Sequence, residues 1–259
     1  MGRRIVITSG KGGVGKTTIT ANLAYRLALS GESVVAVDGD LGLNNLDVAL
    51  GAEGNVSYDV FDCMSGRCRV KQALVPVLNL DNLFLLPARF GKNGSLNEGR
   101  TFGRIVTELS SLFDYVLIDC PAGIGDEFKR AAVSAEEAIL VITPHVSSIR
   151  DGDKIKSMLY SYGMENVFLA INRERGDLIA SGDNLSAEEI SSLMGVKLVG
   201  VVPETDEVQF SSIIKKGGTG RAFSVMANNL RNNKSKIIDY SAQYTGFFGS
   251  IRRRLKKML

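Results

Sequence analysis

The sequence predicts an α/β fold: a single doubly wound, mostly parallel sheet with helices on both faces, followed by a C-terminal amphipathic helix. Three observations predict it. Short continuous runs of Val, Ile and Leu recur along the chain, and continuous rather than alternating apolar character marks strands buried on both faces. Longer helix-like stretches separate these runs, so strand and helix alternate as parallel connections require. After about residue 232 the chain turns polar and then basic and amphipathic.

In chain order, strands are predicted over residues 4–8, 33–37, 83–86, 115–119, 138–142, 167–171 and 198–202. Helices are predicted between them, over 16–30, 101–112, 147–162, 187–194 and 206–215. No Pro-, Gly- or Ser-rich linker and no internal repeat divides the chain, so residues 1–232 read as one domain and 233–259 as a tail whose helix covers about 246–259.

Composition excludes several classes. With 259 residues, 44% apolar and 23% charged, the chain is neither disordered nor collagen-like. A chain of this length needs no disulfide or structural metal to fold. No apolar run approaches the roughly 18 residues of a membrane-spanning helix. Met1-Gly2-Arg3-Arg4 leads straight into a strand, with no signal peptide, and Val6 stands where a myristoylation signal carries Ser or Thr. Cys63, Cys68 and Cys120 form no metal spacing and no even disulfide set, which points to a reducing compartment and a cytoplasmic protein. Residues 231–259 hold eight basic residues and one acid, leaving 23 basic and 27 acidic residues for the rest. An acidic body with a basic end argues against a nucleic-acid-binding surface and gives the tail a local job.

After the first strand comes Gly10-Lys11-Gly12-Gly13-Val14-Gly15-Lys16-Thr17-Thr18. This fits the phosphate-loop pattern, and it lies between strand and helix as the mechanism requires. Glycines let backbone N–H groups turn inward around phosphate oxygens, and the helix N-terminus adds partial positive charge. Lys16 then contacts the β- and γ-phosphates, and the Thr17 hydroxyl coordinates Mg²⁺. The second strand runs out at Asp38-Gly39-Asp40, on the ligand-binding edge of a parallel sheet. Two acids one residue apart point the same way in an extended segment, so both can face the magnesium and the attacking water. Asp119 closes another buried strand as a magnesium-associated carboxylate, and Gly123 offers an N–H toward the γ-phosphate. No guanine-selecting Asn-Lys-x-Asp motif is present, which favours ATP.

In the terminal segment seven apolar residues, Tyr244, Phe247, Phe248, Ile251, Leu255, Met258 and Leu259, fall within an arc of about 120° at helical spacing. Arg252, Arg253, Arg254, Lys256 and Lys257 fill the remaining circumference. Such a helix suits an anionic membrane interface, with a helix docked on its own domain and a nucleic-acid-binding arm as the alternatives. A single tail binds reversibly, and two on one dimer bind far more strongly.

The loop's second lysine, Lys11, makes the motif similar to the deviant Walker A signature of the MinD/ParA family of dimeric P-loop ATPases. The resemblance runs from Arg4 to Leu259. It is closest to the MinD-type cell-division members in Asn44–Asp47, in Pro121-Ala122-Gly123-Ile124, in the stretch 146–153 and in the tail. It implies that Lys11 reaches the partner subunit's nucleotide in an ATP-dependent homodimer, and that Asp151 lies near Lys11. It implies that Asp40 positions the hydrolytic water, that Asp38 assists at the metal, and that Asn45 contacts phosphate or the neighbouring subunit. It implies adenine contacts from Asn172, Arg173 and Pro203. It further implies a division-inhibitor partner and, in some organisms, a topological-specificity factor. A flagellar-number regulator, a ParA-type DNA segregation ATPase and a non-enzymatic membrane scaffold are the other readings.

Overall fold

The computed structural model describes residues 1–40, 45–53, 56–77, 80–88, 98–205 and 213–258, and the side chains of 98–100 and 254–258 lie outside that description. In chain order the elements are β1 (Arg3–Thr8), α1 (Lys16–Leu29), β2 (Val34–Asp38), α2 (Leu46–Leu50), α3 (Val60–Met64), α4 (Val70–Ala73), β3 (Val75–Val77), β4 (Leu80–Leu86) and α5 (Glu98–Ser110). There follow β5 (Tyr115–Asp119), α6 (Asp126–Ser134), β6 (Glu137–Ile142), α7 (Val146–Ser161), β7 (Asn166–Glu174), α8 (Gly176–Ser181), α9 (Ala187–Met194), β8 (Lys197–Pro203) and α10 (Gly217–Asn232). A 3₁₀ turn, Ala242–Tyr244, and α11 (Gly246–Met258) complete the chain.

The strands form one sheet in the order β3-β4-β2-β5-β1-β6-β7-β8, parallel throughout except for β3. Every strand expected from the sequence is present. Their continuous apolar runs sort by pleat: Val6, Val35, Val116, Leu140 and Ile171 enter one core, while Ile5, Ile7, Ala36, Leu117 and Val141 enter the other. Helices α3, α5, α6, α7 and α9 cover the first face, and α1, α2 and α10 cover the second. β3 was not legible: three residues with a central proline are tolerated only at a sheet edge, which is where it lies.

The helix expected over 206–215 falls mostly outside the described residues, and its last three positions are not helical. The cause is α1. Asn22 Oδ1 accepts the Ile214 N–H at 2.8 Å, and Arg26 donates to the Ile214 and Lys215 carbonyls at 2.7 and 2.9 Å. The Ile214 N–H, which a helix would pair within itself, is bonded to Asn22 instead. Helix α10 begins just beyond, with Phe223, Met226, Ala227 and Leu230 buried at helical spacing on the α1 side of the sheet. Its glycine-rich start hides it from a propensity reading.

β1 is central. β2, β4 and β3 lie to one side, beyond β5, and β6, β7 and β8 to the other. The chain thus reverses direction across the sheet beside β1, and the loop after β1 opens into the crevice where such folds bind ligands. Among the described residues, no helix is long and apolar enough to cross a membrane.

Candidate functional site

The loop after β1 turns on left-handed backbone at Gly13 (φ 73°) and Gly15 (φ 95°), which side chains rarely adopt. Gly15 is required twice over, because a Cβ there would sit 2.2 Å from Asn172 Nδ2. Gly10 is also crowded: a Cβ would stand 2.6 Å from the Asp151 carbonyl oxygen. Gly12 and Val14 complete the cradle, and Thr18 follows Thr17 in the first turn of α1.

Lys16 opens α1 and is only 9% exposed. Its Nζ donates to Ser9 Oγ at 3.1 Å, and Ser9 Oγ donates to the Lys11 carbonyl at 2.7 Å. Burial lowers the lysine's pKa, with the nearby Asp119 carboxylate opposing it. Asp119 ends β5 in register with Asp38 at the end of β2, so strand pairing alone brings the two acids together. Thr17 Oγ1 donates to Asp119 Oδ2 at 2.6 Å, and the Thr20 hydroxyl lies 3.1 Å from Oδ1. Burial pushes the Asp119 carboxyl up to about 6, against the pull of Thr17 and Lys16. Burial, reinforced by the Asp119 charge, raises Asp38 well above the usual carboxylate range. Asp40 lies just past the strand, its N–H donating to Asp38 Oδ1 at 3.1 Å.

One hydroxyl and two carboxylates beside a buried ammonium, behind a glycine cradle, fit a magnesium–nucleotide complex by their chemistry. The donors are hard oxygens and the loop is shaped for phosphate. Gly123 (φ 92°) donates its N–H to the Ser9 carbonyl at 3.2 Å, tying the loop after β5 to the base of the phosphate loop. Asn45 is exposed immediately before α2, and residues 41–44, including Asn44, lie outside the described residues.

Lys11 is half-exposed, with its Nζ 3.6 Å from Asp151 Oδ2 in α7. Lys154 approaches the other Asp151 oxygen at 3.4 Å. The expected neighbourhood of Lys11 and Asp151 is therefore present within one chain. Asn172, Arg173 and Pro203 reach the same sheet edge from the ends of β7 and β8. Asn172 is buried and its Nδ2 donates to the Val14 carbonyl at 2.7 Å, so it supports the phosphate loop directly. Arg173 is exposed, in left-handed backbone (φ 58°) where the β7–β8 register shifts.

Sequence reasoning missed Ser9 and Thr20. Thr20 was findable, since i and i+3 from Thr17 share a helix face. Ser9 carried no signal beyond its place between strand and loop.

In the tail, α11 begins at Gly246, so Tyr244 belongs to the preceding 3₁₀ turn and not to the helix stripe. Phe247 and Phe248 are 78% and 79% exposed with ring centroids 5.6 Å apart, and Ile251 is also exposed. Arg252 faces solvent. Arg253 turns to the body instead, donating to the Ala180 carbonyl at the end of α8 at 2.5 Å and to Ser250 Oγ at 3.2 Å. The side chains of Leu255, Lys256 and Met258 lie outside the described residues.

A parallel sheet with a glycine-rich loop, a buried lysine and paired strand-end carboxylates defines a nucleotide-binding protein of the phosphate-loop class. The profile of the CobQ/CobB/MinD/ParA nucleotide binding domain matches residues 5–216. The chain belongs to the MinD/ParA family. It is 38% identical over 265 residues to the septum site-determining protein MinD of Synechocystis, covering 98% of this chain and 99% of that one. It is also similar to a chain of the MinC:MinD cell division protein complex of Aquifex aeolicus (TM-score 0.81, 35% identity, 89% of this chain and 96% of that chain). The septum site-determining protein MinD of Pyrococcus horikoshii complexed with Mg-ADP superposes with a TM-score of 0.79 at 30% identity, covering 89% and 96%.

Proposed function

We propose that this protein is a Mg²⁺-dependent ATPase that dimerises on ATP, attaches to the cytoplasmic face of the cell membrane and recruits a division inhibitor there to select the septum site. One observation carries the reading: a phosphate loop with Lys16, Thr17 and Asp119 already assembled belongs to a chain whose last helix leaves Phe247, Phe248 and Ile251 uncovered. Residues 1–232 would form the ATPase domain and 233–259 the targeting segment.

Lys16 leaves Ser9 Oγ to hold the β- and γ-phosphates. Thr17 and Asp119, with Asp38 behind them, are the oxygens that would hold magnesium, which when bound neutralises charge on the phosphate oxygens. Asp40 orients the attacking water, Gly123 reports the γ-phosphate, and Asn45 contacts phosphate or the partner subunit. Asn172, Arg173 and Pro203 border the base. Lys11 exchanges its Asp151 contact for the partner subunit's nucleotide, adding a cation where charge develops. The apolar face of α11 enters an anionic lipid surface, and pairing two tails turns weak contacts into stable attachment. A topological-specificity factor stimulating turnover is compatible with this scheme, and nucleic acid has no role in it.

Co-sedimentation with anionic vesicles in ATP, ADP and no nucleotide, combined with sizing, tests the proposal. Dimers and sedimentation are expected only with ATP, and Asp40→Ala should bind ATP, dimerise and accumulate on vesicles without turnover. Sedimentation independent of nucleotide, or an ATP-bound monomer on the vesicles, would overturn it.

A further inference from the structure

Two of the cysteines, which the sequence leaves unrelated, meet in the fold. Cys63 Sγ and Cys68 Sγ are 3.5 Å apart, about 1.5 Å more than a disulfide bond length. The turn between them is what joins them. Helix α3 ends with Gly66 in left-handed backbone (φ 74°), the Gly66 N–H donating to the Cys63 carbonyl at 3.1 Å and the Arg67 N–H to the Asp62 carbonyl at 2.9 Å. That pair of bonds is the helix-ending motif in which the chain folds back over its own last turn. Arg67 adds a 2.9 Å ion pair to Asp62. Ser65 Oγ bonds the Asp62 carbonyl at 3.1 Å. The residue delivered by this fixed turn onto Cys63 is Cys68.

The two thiols differ in access. Cys63 is buried in the core that also holds Phe61, Val70 and the α5 residues Phe102 and Ile105, whereas Cys68 is partly exposed. Burial raises the Cys63 thiol, and so does its contact with Cys68. Cys120, also buried, follows Asp119 at the end of β5 within the same core, where burial pushes its thiol up to about 12.

We propose that Cys63 and Cys68 form a dithiol modification site that a low-molecular-weight disulfide oxidises to an intrachain disulfide. The Cys68 thiolate, the accessible one, attacks one sulfur of the small disulfide and breaks its S–S bond. One small thiolate leaves and takes up the proton from Cys68, and a mixed disulfide remains on Cys68. Cys63, giving up its proton, attacks Cys68 Sγ and expels the second small thiolate, which takes up that proton. Two protein thiols are oxidised to one disulfide, and the small disulfide is reduced to two thiols. The staple would fix the turn between α3 and α4. Helix α3 is tied at its start to the end of β4 by the Val60 N–H bond to the Pro87 carbonyl at 2.9 Å, so the turn lies in the segment that follows the Asp38–Asp40 loop.

The test uses the full-length folded protein, incubated in a series of oxidised-to-reduced glutathione ratios. Remaining thiols are alkylated and mapped by peptide mass spectrometry, before and after unfolding. Oxidation should lower the alkylatable thiols from three to one, with Cys63 and Cys68 cross-linked and Cys120 free after unfolding. Cys63→Ser should trap one glutathione on Cys68, and Cys68→Ser should leave Cys63 unmodified; Cys63→Ala serves the same purpose if the serine variant fails to fold. Three free thiols at every ratio would overturn the proposal, as would a glutathione adduct accumulating on Cys68 of the unsubstituted protein without ring closure.

Discussion

The two ends of this molecule invert the usual distribution of charge and hydrocarbon in opposite ways. At the nucleotide edge Lys16, Asp38 and Asp119 are 9%, 2% and 2% exposed, while on α11 Phe247 and Phe248 are almost fully exposed. Lys16 and Asp119 are tolerable because each offsets the other and both meet the hydroxyls of Ser9, Thr17 and Thr20, while Asp38 accepts the Asp40 N–H. Among the described residues, the exposed rings pack edge to face on each other. One region is therefore stiff and defined by fixed partners, and the other presents a surface that a lipid phase would cover. Under the proposed function the first would recognise a ligand by geometry and the second by solvent transfer.

The largest expected effect comes from breaking the buried cluster. Lys16→Ala should weaken nucleotide binding by at least a hundredfold, about 3 kcal/mol, because it removes a desolvated charge from the phosphate loop. Titration with a fluorescent nucleotide measures it, and unchanged affinity would move the phosphate grip elsewhere. Next is the tail. Phe248→Glu should cut ATP-dependent vesicle binding more than tenfold, since the apolar face must then bury or neutralise a carboxylate at about 2 kcal/mol or more per tail. Nucleotide affinity should not change. A parallel fall in both would mean that the two regions are not separable.

A third test falls between the regions. Glu174 ends β7, two residues beyond Asn172, and lines a cavity of about 210 Å³ with Ile237, Ile238 and Asp239 on the way to the tail. Burial, with the charges of Glu188 and Asp239, pushes its carboxyl up to about 7. The folded protein then holds a proton that the unfolded chain has lost, so this group's contribution falls as pH rises from the ordinary glutamate value toward 7. Glu174→Gln should accordingly stabilise the protein by about 1–3 kcal/mol at pH 8, with the gain vanishing near pH 5. Denaturant melts at the two pH values decide it, and a variant less stable at pH 8 would contradict the sign. The smallest effect is expected from Arg253→Gln. It removes one partly exposed hydrogen bond to the Ala180 carbonyl, worth under about 1 kcal/mol. Hydrogen exchange over residues 246–253 should speed up while the catalytic rate holds. Unaltered exchange would mean that this bond does not hold the helix.

Much of the nucleotide edge was legible because its chemistry is local in sequence. The phosphate loop is contiguous, and Asp38 and Asp119 each close an apolar run, so strand pairing places them together without further information. The long-range partners were not legible. That Asn172 would brace Val14, that Arg253 would turn inward to Ala180, or that Cys63 and Cys68 would meet depends on turns and packing that no short window encodes. Helix α10 was missed for the opposite reason. Its apolar spacing is written in the sequence, but the glycines at its start outweigh it in any propensity reading.

The packing of Asn172 against Gly15 also bears on how this site can be altered. The amide nitrogen that touches the phosphate loop belongs to the residue assigned to the base, and the loop leaves no room for a Cβ beneath it. If Asn172 borders the base as proposed, base preference and phosphate grip would not be independent traits. An engineer seeking a different nucleobase by replacing Asn172 would also loosen the loop, so a first single-step variant should be a poor binder of every nucleotide before it is a selective binder of any. On that proposal, re-targeting would call for a paired change that rebuilds the brace on Val14 at the same time.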